Sequence, residues 1–365
     1  MECLKKPNGI EEAMEWIKNL KAEAIDEAAR QQVLKNWDQV AKPIGGLGEF
    51  EYLIARLGGI VGSPFIQITK KAVVIMCADN GIIEEGVSQS GKEVTLAVAR
   101  AMGMQKSVVG QMAKEIGADT YPIDIGIDYF GQIPGVVDNK VRKGTGNFSR
   151  EAAMTLEEAL QAIRIGVDLV KEYKQKGYQI LATGELGMGN TTTSSAVAAA
   201  LLQCTPDQVC GRGAGLSNEG LSRKKKVIQR AIEDYGLYQA SPLEVLRCVG
   251  GLDIAGLCGI CIGGALYHVP IVLDGVISMT SALLAERLVP GVGNYLLPSH
   301  QGREPAIKRL AEELNLKPVI GGSMALGEGT GAVMMLSLLD IALRVYQEGE
   351  TFVHMQLEPY IRYET

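Results

Sequence analysis

Aromatic side chains are scarce in this chain of 365 residues: two tryptophans, five phenylalanines and twelve tyrosines stand beside 44 glycines. That balance suits an α/β enzyme in which backbones make close contacts. Excess positive charge is missing too. The net charge is −6 and no basic stripe runs through the sequence, so there is no electrostatic reason to expect nucleic acid as a partner. Long apolar runs are also absent. The most apolar region, Leu252 to Gly275, is interrupted by Asp253, His268, Pro270 and Asp274. Its unbroken part falls short of the ~20 residues that span a bilayer, and a buried helix followed by a buried strand accounts for it. The N-terminal stretch MECLKKPNGIEEAMEWIKNL has no apolar core of signal-peptide type, from which a cytoplasmic protein is expected.

The seven cysteines, Cys3 among them, form an odd set without disulfide-like spacing. Cys258-Gly-Ile-Cys261 is a CxxC, but it lies inside the apolar stretch AGLCGICIGGAL. No second pair and no nearby histidine complete a tetrahedral zinc site, so these read as small core residues. The three histidines, His268, His300 and His354, share no ligand spacing, and neither a metal nor a cofactor is expected.

What the chain does have is alternation. With 47% hydrophobic and 21% charged residues it can bury a large core. Residues 11–40 read as helix, and KPIGGLGEFEYLIARLGGI (42–60) as a Pro/Gly loop entering a second amphipathic helix. After that, short apolar runs are each followed by a glycine-rich turn and a helical stretch: AVVIMCADNG (72–81), DTYPIDIG (119–126), YQILATGELG (178–187) and VPIVLDG (269–275). YLLPSH (295–300) and KPVIGG (317–322) are candidates for two shorter strands, and apolar residues at helical spacing from Gly331 to Tyr346 predict a closing helix. The pattern predicts an α/β fold, a Rossmann-like and mainly parallel sheet with helices on both faces. Residues 60–340 are assigned to this large domain. Residues 1–59 together with 341–365 are expected to form a small helical domain.

In such sheets ligands bind beyond the carboxyl ends of the strands, where the turns ADNG, IDIG, TGELGMGNTTT, LDG and LGEGTG all fall. GELGMGNTTTSS (184–195) brings hydroxyls and backbone N–H groups to a helix start, and VCGRGAGLSNEGLSRKKK (209–226) joins glycines to positive charge. Neither is a Walker loop or a dinucleotide fingerprint. Each alone is as readily a tight structural turn as a ligand site; together they favour a phosphorylated small molecule. The charge run Arg223-Lys224-Lys225-Lys226 also reads plainly as the solvated face of a helix. Asp79, Glu185 and Glu328 put carboxylates on loops at one sheet edge, where desolvation would raise a pKa as a general base requires. The plainer alternative is that Glu328 caps the last helix while Asp79 and Glu185 pair with nearby cations.

At these residues the chain resembles the nicotinate-nucleotide:dimethylbenzimidazole phosphoribosyltransferases of cobamide lower-ligand synthesis. The resemblance covers nearly the whole chain, in family order, through CADNGIIEEGVSQSGKEVT (77–95), PIDIGI (122–127), GTGNFSREAAMT (144–155), GELGMGNTTT (184–193), VGGLDIAG (249–256), VLDGVIS (272–278), LLPSH (296–300) and LGEGTGA (326–332). It implies transfer of phosphoribose from nicotinate mononucleotide to a base, with inversion at C1. The pyridinium departs uncharged at nitrogen and needs no general acid. The resemblance further implies Glu328 as the base that deprotonates the acceptor, with Leu326, Gly327 and Gly329 around it. Glu185, Leu186 and Gly187 would line the ribose and nicotinate region, Lys224 would meet the phosphate or carboxylate, and Asp79, Ser90 and Val98 would face the acceptor side.

Departures from the family pattern bear on the acceptor. Asp79-Asn80-Gly81 stands where Asp-His-Gly is common, Val98 near a usual glutamine, Ala325 at a usual arginine and Gly302 at a serine. Val98 cannot hydrogen-bond a benzimidazole. A phenol or p-cresol acceptor, giving an O-glycoside, is therefore an alternative, as is a weakly active paralogue that supports a catalytic partner. By resemblance the chain is expected to form a homodimer, or a heterodimer with a paralogue.

Overall fold

The computed structural model describes residues 9–362; Cys3 and the first residues of the expected small domain lie outside them. β1 (Lys71–Ala78) carries the run AVVIMCA, and all eight of its residues are buried. A strand buried on both faces belongs in the middle of a parallel sheet. β2 (Asp119–Gly126), β3 (Val137–Asp138), β4 (Ile180–Leu186), β5 (Ile271–Leu273) and β6 (Leu296–Pro298) complete it. Their order is β3-β2-β1-β4-β5-β6, and every neighbouring pair is parallel. The chain reverses its winding direction between β1 and β4, which opens a crevice at their carboxyl ends.

One face of the sheet is covered by the apolar helix Leu252–Leu266, which packs on β1, β2, β4 and β5 and on the helix Leu156–Gln175. The two helices cross closely because Gly259 lies against the backbone of Ile163, where a Cβ would collide with its carbonyl. Cys258 and Cys261 are fully buried in this helix. Burial raises both thiols, Cys261 to about 12, which leaves them as inert core residues. The other face carries the helices Glu93–Gly103, Val108–Glu115 and Thr330–Glu348. No described helix is long and apolar enough to cross a membrane.

Two expectations change. The helix expected over 11–40 is two helices, Ile10–Asn19 and Glu27–Trp37. The chain turns extended at Leu20, and the Asp26 side chain restarts it by accepting the N–H of Ala29 at 2.9 Å. The first of them packs on Leu156–Gln175, whereas the second packs on Glu49–Val61 and sets Trp37 against Tyr346 of the closing helix, ring centres 5.2 Å apart and tilted. KPVIGG forms no strand: Ile320 makes only a single bridge to His300. The two-residue β3 has too little apolar pattern to be seen in sequence.

Candidate active site

The turn LGEGTGA sits over the carboxyl end of β4. Gly327, Glu328 and Gly329 take φ values of 83°, 61° and 95° in succession, all in the left-handed region. For glycine this is free, but for a glutamate it costs about 1–2 kcal/mol. Gly327 also lies so close to the Glu185 carboxylate that a Cβ would strike Oε1. The Glu328 side chain is half-buried, and its Oε2 has no hydrogen-bond partner. Burial raises its pKa, the backbone amide of Val109 opposes that rise, and the charge of Asp274 adds to it.

Glu328 does not cap the closing helix. That role belongs to Asp274, at the end of β5, whose carboxylate accepts from Gly329 N at 3.2 Å, Gly331 N at 2.8 Å and Ala332 N at 3.1 Å. Three amides at the positive end of a 19-residue helix are thus satisfied by a neighbour. Asp274 is itself buried and lies 4.0 Å from His300 Nδ1. Burial pushes its pKa up, while His300 and the three amides pull it down.

Beneath this turn, further acids converge on the β1–β4 crevice. Glu185, next to last in β4, is buried and accepts from the Asn190 amide. Burial, Asp253 and Asp274 together push it up to about 8. Asp253, in the first turn of Leu252–Leu266, is raised by burial to about 7, and its Oδ2 is unpartnered. Asp79, following β1, accepts from Asp128 N at 2.8 Å while its Oδ1 has no partner. Burial raises it as well. Neither Asp79 nor Glu185 forms an ion pair among the described residues, so the plainer alternative fails for both. Asn80 Oδ1, Asp253 Oδ2, Asp79 Oδ1 and Glu328 Oε2 make an edge rich in buried acceptors with no donor of their own.

The cationic element approaches from the helix Asn218–Asp234. Of the run Arg223 to Lys226, Lys224 alone turns fully inward. Its Nζ donates to Thr191 Oγ1 at 3.0 Å and to the Gly211 carbonyl at 3.1 Å, and desolvation lowers its pKa. Thr191 follows Asn190 at the start of the helix Asn190–Leu201, which has no side-chain cap. The Thr191 hydroxyl and a desolvated ammonium therefore meet at this helix start, an arrangement that suits an oxyanion. The Gln89 amide donates to Gly215 O and ties the loop carrying Ser90 to the glycine-rich loop.

Asp79 and Ser90 line a cleft of ≈ 510 Å³ together with Asn80, Lys92, Asp128 and Thr145. Val98 is half-buried against the core and is not among the residues that line it. Leu186 and Gly187 are buried at the end of β4, and Leu326 is 53% exposed beside Glu328. Asp253 and Asp274 are not candidates in the sequence reading, whereas Asn190 and Thr191 fall in the stretch GELGMGNTTTSS read there for its hydroxyls at a helix start. The available signal was an acid breaking an apolar run, in GGLDIAG and VLDG.

A family model described as a phosphoribosyltransferase matches residues 22–356. A nicotinate-nucleotide–dimethylbenzimidazole phosphoribosyltransferase of Clostridium acetobutylicum is 42% identical over 92% of this chain and 96% of its own length. That of Acetivibrio thermocellus is 44% identical over 90% and 93%. The chain belongs to the nicotinate-nucleotide–dimethylbenzimidazole phosphoribosyltransferase family. A crystal structure of such an enzyme from Thermus thermophilus superposes with a TM-score of 0.86 at 34% identity, covering 92% of this chain and all of that one. The chain is thus a phosphoribosyltransferase on the Rossmann-like sheet expected from its sequence.

Proposed function

We propose that the chain moves the phosphoribosyl group of nicotinate mononucleotide to an aromatic base of the benzimidazole kind, a step that activates a cobamide lower ligand. The bond from C1 to the pyridinium nitrogen breaks, and its electron pair stays on that nitrogen, so nicotinate leaves without needing a proton. One ring nitrogen of the acceptor bonds C1 from the opposite face and inverts it from β to α. The N–H on the other ring nitrogen gives its proton to Glu328. Lys224, Thr191 and the Asn190–Leu201 helix start hold the 5′-phosphate. Glu185, protonated near neutral pH, donates to the ribose.

One observation carries this reading. Glu328 is held in a strained conformation with an unpartnered, desolvated oxygen, while Asp274 does the capping that would otherwise explain a carboxylate there. A general base contributes ~100-fold or more to rate. Glu328→Gln should therefore lose at least ~100-fold in turnover while nicotinate mononucleotide still binds. Near-native turnover of that variant with benzimidazole, phenol and p-cresol alike would sink the assignment. Assaying the purified parent chain alone with the same three acceptors ranks them and tests whether a partner chain is needed.

A dimer belongs to the same reading. Met334, Leu338 and Ile341 fall on one outer face of the closing helix, with Met334 and Ile341 44% and 60% exposed. Ile341→Glu should halve the mass measured by sedimentation.

A further inference from the structure

A second cleft, of ≈ 620 Å³, opens beside β6, the last strand of the sheet, between the helices Glu27–Trp37 and Glu49–Val61 and the stretch around Lys317. It shares no lining residue with the active site. Three cations face it: Arg30, Arg56 and Lys317. Arg30 is answered by Glu27 at 3.0 Å and Lys317 by Glu49 at 2.5 Å. Arg56 has no such answer. Among the described residues it makes no ion pair, and its side chain gives one hydrogen bond, from Nη1 to the Leu296 carbonyl at 2.8 Å. Burial and the positive charge of Arg30 both lower its pKa.

A guanidinium presents five N–H donors in a rigid fork. Arg56 is half-buried, and a guanidinium drawn partly out of water is ordinarily paired; here the neighbouring charge is of the same sign. Arg56 keeps donors free for an anion in the cleft, and Arg30, itself held by Glu27 at 3.0 Å, adds a second guanidinium beside it. The Asn294 and Asn315 amides add neutral polar groups to the wall, and Tyr52, 52% exposed, gives it a flat rim. We propose that this cleft is a second anion site, in which Arg56, assisted by Arg30, holds the phosphate of a small phosphate monoester. The volume leaves room for an organic group to lie over Tyr52.

The site is tested by calorimetric titration of the full chain at constant ionic strength with inorganic phosphate and with ribose 5-phosphate. Parent, Arg56→Gln, Arg56→Lys and Lys224→Gln chains are compared, since Lys224 serves the active site. The expected result is a phosphate-binding event that survives Lys224→Gln, weakens at least ~10-fold in Arg56→Lys and disappears in Arg56→Gln. Ten-fold is the usual scale for losing one charge-assisted bond of ~1.4 kcal/mol. Tighter binding of ribose 5-phosphate than of phosphate means that the cleft reads the organic group; equal binding means that it reads the oxyanion alone. Arg56→Gln keeps its turnover and, without anion, melts no lower than the parent, because it removes the repulsion from Arg30. It loses the rise in Tm that saturating phosphate gives the Lys224→Gln chain. Binding that is unchanged in Arg56→Gln, or abolished entirely by Lys224→Gln, overturns the proposal.

Discussion

The carboxylate of Asp274 accepts the backbone N–H groups of Gly329, Gly331 and Ala332, and so caps the helix that Glu328 precedes. Removing it strips three buried amides of their acceptor. Asp274→Ala should cost about 2–4 kcal/mol in urea unfolding, a lost cap plus unsatisfied buried donors. Turnover should fall by about 10–100-fold, the scale for misplacing a reacting group by an ångström. A stable Asp274→Ala chain would mean that the helix start finds other partners.

Glu328 itself stands in the opposite position. It sits at φ 61° with one carboxylate oxygen unpartnered, so its presence weakens the fold. Glu328→Gly should raise stability by about 1 kcal/mol while turnover falls with the loss of the base. Thermal unfolding and an activity assay of one preparation check both halves. A destabilised glycine variant would show that Glu328 supports the turn.

The buried acids predict a stability profile. Glu185 rises from 4.5 to about 8 on folding and Asp253 from 3.8 to about 7. The folded chain therefore holds more protons than the unfolded one between roughly pH 4 and 8, and its stability falls as pH rises through that window. Glu185→Gln should remove on the order of 3 kcal/mol of the stability change between pH 5 and 8. Turnover moves the other way, rising as Glu328 loses its proton. Urea midpoints taken across the pH range give the first curve and initial rates the second.

Lys224 is buried and desolvated; its hydrogen-bond partners are neutral, and Glu304 is a nearby opposite charge. Lys224→Met keeps the volume and removes the charge, so the fold should lose less than about 1 kcal/mol. The KM for nicotinate mononucleotide should rise at least ~10-fold, the scale of a charge-assisted hydrogen bond. Arg223→Met, one residue away and exposed, should leave both unchanged.

Most of the sheet was legible because its central strands are apolar and β-branched and are followed by glycine turns. β2, β4, β5 and β6 fall within the runs read from sequence, and β1 begins one residue before its run. The break at Leu20–Asp26 was hidden because residues on both sides keep helical spacing, and only a tertiary partner makes the first helix turn away. Site legibility divided along the same line. Glu328 and Glu185 stand out as lone charges among glycines, whereas Asp274 looks like one polar break in a core segment. Its part depends on three amides more than fifty residues distant in sequence, and pattern reading cannot supply that. Lys224 shows the converse, since only packing separates it from the basic neighbours that face water.

The acids of the crevice hang from the ends of β1, β4 and β5 and from two helix starts, but much of the polar cleft beside them belongs to loops. Asp128, Lys143, Gly144 and Thr145 come from the excursion between β2 and the helix Leu156–Gln175. Changes in that excursion reach Asp79 directly, because the Asp128 N–H donates to its carboxylate at 2.8 Å and the Thr145 N–H to its carbonyl at 3.0 Å. Glu185, Asp253, Asp274 and Glu328 hang instead from strand and helix ends, so the wall of the cleft and the supports of those four acids are separate parts of the fold.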